Sequence, residues 1–107
     1  MNWKPPEGTD YMVRKWMSHQ GWGVHRTEFN HERQIYAWWH EVGVGSDIVL
    51  RISRTALEDF PAFALWEILD RLNVAAELKA RPDACLVMVK RGVRALLEEL
   101  PRQFNAG

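Results

Sequence analysis

One cysteine in 107 residues, Cys85, leaves no intrachain disulfide to be made and too few thiolates for a cysteine zinc cluster or a CxxC redox pair. No window approaches the roughly 20 apolar residues of a membrane-spanning helix, so no membrane partner is read. No charge of either sign is in excess. Lys plus Arg and Asp plus Glu both number 14, and the halves on either side of Ser53 balance separately at six against six and eight against eight. That balance removes the long-range pull toward polyanions. The opening MNWKPPEGTD lacks the apolar core of a signal peptide, and together with the lone thiol this makes cytoplasmic the expected location. There is no glycine-rich phosphate loop, since Gly43-Val44-Gly45 precedes a strand pattern rather than a helix whose amides face an anion. Repeats, linkers and low-complexity tracts are also missing, and the length predicts a single domain over 1–107 with 1–8 as an irregular lead-in.

What the chain does have is tryptophan, six residues in all, two of them adjacent. Trp38 and Trp39 fall inside a pattern of period two. Successive side chains of a strand point to opposite faces, so the pair commits one large aromatic to each side of a sheet. Three strands are predicted over 22–30, 35–42 and 48–53. With the segment 31–34 as the first turn, paired residue numbers sum to 65, which sets Thr27 against Trp38 and His25 against His40. With 43–47 as the second loop, Val42 meets Ile48, Leu50 meets His40 and Ile52 meets Trp38. The predicted core face is Phe29, Tyr36, Trp38, Val42, Ile48, Leu50 and Ile52.

Around this meander the periodicity changes. Thr9 or Asp10 caps a short helix that buries Met12, Val13, Trp16 and Met17 and ends near Gly21. Thr55 to Glu58 has capping-box spacing, Pro61 suits a first helical turn, and the following helix runs to Leu72, where Asn73 interrupts it before 74–80. Arg81-Pro82-Asp83 is a stop. The run from Cys85 to Val89 reads as a buried strand with Cys85 a small core hydrophobe, and 93–100 as a returning strand, with a closing helix as the alternative. The predicted class is α+β: a three-stranded antiparallel meander packed on one main helix, with a short N-terminal helix and a C-terminal strand or hairpin.

No nucleophile, base and orienting group can be named together, so catalytic residues, metal ligands and cofactors are all read as none. The four histidines match no compact ligand spacing, and the pair His25 and His40 alone supplies too few ligands for zinc. The candidate binding face is the other side of the sheet, where the predicted register sets Arg26, Trp39 and Arg51 in one row beside Glu41. Guanidinium over indole, with a polar rim, is the composition of a protein-binding hot spot. The bland alternative is that the arginines cover Trp39 with their aliphatic stems on a solvated face.

The expected function is therefore a non-catalytic interaction or regulatory module whose partner is another protein or a second copy. The alternative is a nucleic-acid-binding module using the same face together with Lys90, Arg91 and Arg94. The order helix, three strands, helix, two strands resembles the small α/β chaperones of type III secretion. That resemblance lies in element order and implies a dimer that binds effector segments.

Overall fold

The computed structural model describes residues 3–42, 47–80, 85–90 and 94–99, the last two segments as backbone. Helix α1 (Thr9–His19) leads into strands β1 (Arg26–Asn30), β2 (Ile35–His40) and β3 (Ile48–Ser53). Three helices follow, α2 (Arg54–Asp59), α3 (Ala62–Arg71) and α4 (Val74–Ala80), and then strands β4 (Cys85–Lys90) and β5 (Arg94–Glu99). The sheet runs β1-β2-β3-β4-β5, antiparallel except for the parallel pair β3–β4, whose connection carries the three helices. This is the predicted α+β arrangement, with the hairpin of the two C-terminal readings. Arg81-Pro82-Asp83, the loop residues 43–46 and Arg91 lie outside the described residues, as do the side chains of Cys85, Lys90 and Arg94.

The helix ends show what local sequence decided. Gly8, at φ 85°, precedes α1 in the left-handed region that glycine enters without a Cβ penalty. Neither predicted cap operates. Thr9 is already helical, its hydroxyl buried with no partner among the described residues, and the Asp10 carboxylate is used elsewhere. The Thr55 capping box is replaced by Ser53, whose Oγ accepts from the Ala56 N–H at 3.2 Å and starts α2 as a separate short helix. Asn73 does interrupt the later helix: it sits at φ 58°, and α4 restarts one residue on.

Sheet register separates the two hairpins. β1 pairs with β2 as predicted, Thr27 against Trp38 and Phe29 against Tyr36. β2 pairs with β3 two residues away from the prediction, so that Trp38 meets Leu50, Trp39 meets Val49 and Ala37 meets Arg51. The slip is an even number, so every side chain keeps its face while its cross-strand neighbour changes. One core assignment fails as a result. Val42 falls beyond the ladder, whose last pair is His40 with Ile48, and is 59% exposed.

The core lies between the sheet and the helices. Trp38, Leu50 and Ile52 meet Val13, Trp16 and Met17 of α1, Leu57 of α2, Leu65 and Leu69 of α3, and Leu78 of α4. Burying that many large side chains at roughly 1.5–3 kcal/mol each is the main term holding the layers together. The indoles inside it carry polar N–H groups that need acceptors. Trp38 Nε1 donates to Asp10 Oδ1 at 3.0 Å, while Asp10 Oδ2 accepts from Arg14 at 2.8 Å. Trp16 Nε1 donates to Asp70 Oδ1 at 2.9 Å. Two helix carboxylates thus satisfy two buried tryptophans.

Beyond the helical layer the core face is finished by the lead-in segment. Trp3 packs 5.0 Å from Phe29 and 6.2 Å from Tyr36, ring centre to ring centre, and the Arg54 guanidinium lies 5.2 Å from its ring centre. Arg54 is held in turn by Gln34 Oε1 at 2.9 Å and Glu58 at 3.1 Å. The irregular first residues are therefore part of the packing.

Candidate functional site

The face of the sheet turned away from the helices carries the predicted row in altered form. Arg26 and Trp39 are cross-strand partners, and the guanidinium carbon stands 3.8 Å from the centre of the indole. Two carboxylates hold it there. Arg26 Nη1 meets Glu28 Oε2 and Arg26 Nε meets Glu41 Oε1, both at 3.2 Å. Each pair is about half exposed and stabilises little alone, but together with the cation–π contact they hold one guanidinium over one indole.

Arg51 does not join as predicted. The two-residue slip sets it opposite Ala37, diagonal to Trp39, with its guanidinium 5.8 Å from the indole centre. It is also buried, at 7% exposure. A charged head becomes buried only where other groups surround it, and on the central strand Arg51 has a neighbour on either side, Ala37 of β2 and Leu86 of β4 in register. Arg51 is thus a supporting residue of this face. Ile35, Ala37 and Val49 are buried on the same side, so the face has an apolar strip where a wholly solvated surface was the bland expectation.

Trp38 and Trp39 differ as alternation requires. Trp38 is fully buried and Trp39 is partly covered. Their indole nitrogens differ more. The Trp38 N–H is satisfied by Asp10, whereas the Trp39 N–H is buried with no hydrogen-bond partner among the described residues. The other tryptophans are also accommodated within the fold. Trp16, Trp22 and Trp38 are buried, and Trp3, Trp39 and Trp66 are half-buried against their neighbours.

On the other face of the same hairpin end, the side that carries Trp38, His25 and His40 stack, ring centres 5.3 Å apart and planes 17° from parallel, as the first hairpin register predicted. Both rings are already in use. His25 Nδ1 accepts from the Glu41 backbone N–H at 2.9 Å, and His40 Nδ1 lies 2.7 Å from the Gly23 carbonyl. His25 would have to give up that hydrogen bond to move its proton and offer Nε2 to a metal. Among the described residues no three His, Cys, Asp or Glu side chains gather as ligands.

Two exposed aromatics entered no candidate site read from the sequence. Tyr11 is 67% and Phe63 77% exposed. Each stands two residues before a core residue of its helix, Val13 and Leu65, hence about 200° around the helix from it. That offset was readable in the sequence. Their helices meet nearby, Gly8 against Ala62. No helix among the described residues is long and apolar enough to cross a membrane.

No family model, curated protein or solved structure matches this chain.

Proposed function

We propose that the chain is a small non-catalytic interaction module that binds a protein through the sheet face centred on Trp39. The observation that carries this reading is the Arg26 guanidinium held 3.8 Å over the Trp39 ring and braced by Glu28 and Glu41. An aromatic whose position is already set loses little freedom on binding, and Trp and Arg with a polar rim are the residue types that dominate protein interfaces. Arg26, Trp39 and Glu41 would touch the partner, while Arg51 supports them from below. A nucleic-acid reading is less favoured, because two of the Arg26 nitrogens already face carboxylates that would repel phosphate.

A second protein-binding reading has its own observation in the exposed Tyr11 and Phe63 on the helical side. A photo-crosslinking amino acid placed at Glu28, and separately at Phe63, distinguishes the faces in native cells. The expected result is a discrete nuclease-resistant protein adduct from position 28 that is lost in the Arg26→Ala, Trp39→Ala variant. Adducts from position 63 alone would move the site to the helices, and nuclease-sensitive adducts would restore the nucleic-acid reading.

A further inference from the structure

We propose that the stacked histidine pair makes the Arg26–Trp39 surface pH-sensitive, with His25 as the acting group and Glu41 as the link. This rests on the interaction reading given above. A backbone amide can only donate, so the 2.9 Å contact from the Glu41 N–H makes His25 Nδ1 an acceptor and puts the hydrogen of the neutral ring on Nε2. A carbonyl oxygen can only accept, so the 2.7 Å contact with Gly23 puts the hydrogen of neutral His40 on Nδ1. The stacked rings therefore hold opposite tautomers.

Proton uptake affects them differently. His40 gains its proton at Nε2 and keeps the bond to Gly23. His25 gains its proton at Nδ1, where the new N–H faces the Glu41 N–H and that hydrogen bond is lost. The consequence travels along contacts already described. Glu41 Oε1 braces Arg26 Nε at 3.2 Å, and Arg26 covers Trp39. Releasing the Glu41 backbone removes one of the two braces.

The surrounding charges set the sign. Arg26, next in the chain, projects from the opposite face of the sheet, so the like charge that meets each protonated ring is that of its stacked partner. Glu28 of β1 and Glu41 at the exit of β2 supply the negative charge, and both are engaged by Arg26. Asp47 is occupied with the Val42 N–H at 3.1 Å, and β3 offers apolar Ile48 opposite His40 and the cation Arg51 near Trp39. Acidification thus accumulates like charge at this end of the hairpin and loosens residues 40–42 from 23–26. The His25 N–H to Trp39 carbonyl bond, 2.8 Å, involves no titrating atom and limits the change to the side chains and the strand exit.

The test uses the ¹⁵N-labelled full chain without a partner. Long-range imidazole spectra at pH 8 should show the Nε2–H tautomer for His25 and the Nδ1–H tautomer for His40. From pH 8 to pH 5 the Glu41 amide should move upfield and the Trp39 indole N–H should shift with the same midpoint. His25→Asn keeps an acceptor at the Nδ1 position but cannot take up a proton, so both signals should lose the transition. His40→Asn should leave the Glu41 transition in place. A flat Glu41 amide in the wild type, identical tautomers in the two rings, or a transition that survives in His25→Asn would overturn the proposal. The wild-type tautomers decide the matter even if His25→Asn does not fold. Because no partner is present, failure here leaves the crosslinking test standing, and failure of that test leaves this transition standing.

Discussion

Replacing Trp38 and Trp39 separately by Phe applies one chemical change to adjacent residues and should give different results. Trp38 is fully buried, its N–H bonds to the Asp10 carboxylate at 3.0 Å, and its ring packs 4.7 Å from Tyr36. Phe forfeits a hydrogen bond to a charged acceptor, about 1.5–3 kcal/mol, and leaves unfilled space costing roughly 1 kcal/mol more. Asp10 adds little to the loss, because its carboxylate is 46% exposed and retains Arg14. A total of about 2.5–4 kcal/mol follows. At Trp39 the N–H is buried and has no partner among the described residues, so Phe removes a desolvated donor whose burial costs about 1–3 kcal/mol while surrendering a comparable amount of packing. The net change should lie within about 1 kcal/mol of zero. Urea unfolding followed by far-UV circular dichroism reads both. With a slope of roughly 2 kcal/mol/M, Trp38→Phe should lower the midpoint by more than about 1 M and Trp39→Phe by less than half of that. Equal losses, with unchanged slopes, would refute the assignment of the two indole nitrogens. A double-mutant cycle of Trp38→Phe with Asp10→Ala should give a coupling of about 1–2 kcal/mol, and additivity there would sink the same argument.

Trp16→Phe should behave as Trp38→Phe does, losing about 2–4 kcal/mol, because its N–H rests on Asp70; denaturant unfolding of the variant checks this. Gly8→Ala should cost about 1 kcal/mol through its positive φ, since the space for a Cβ is adequate at 3.7 Å from Ala62, and a fall in thermal midpoint of a few degrees would report it. Asn73→Gly should be neutral or slightly stabilising at φ 58° while Asn73→Ala destabilises, and reversal of that order would contradict the backbone assignment. Chelator should leave far-UV circular dichroism unchanged. Stoichiometric zinc in elemental analysis would contradict this expectation.

Local and period-two information settled much of the architecture. Alternation alone assigned Trp38 to the core side and Trp39 to the other, and the short 31–34 turn left one register for β1 and β2 that also put His25 beside His40. Asn73 was legible as a break because few side chains tolerate the left-handed region. The second hairpin was less constrained. A two-residue slip preserves every face, so hydrophobic pattern could not distinguish Trp39 opposite Arg51 from Trp39 opposite Val49, and only the folded sheet chose the latter. The candidate site inherits that ambiguity, which is why Arg51 moved from the surface to a buried supporting place. The acceptors of the core indoles were beyond sequence reasoning for another reason. Asp10 and Trp38 are 28 positions apart and Asp70 and Trp16 are 54 apart, and no local periodicity links residues that meet only when a helix settles on a sheet. The sequence by itself determined which side chains needed burial; the tertiary structure decided which of the buried polar atoms found partners, because partnership depends on the docking of distant elements.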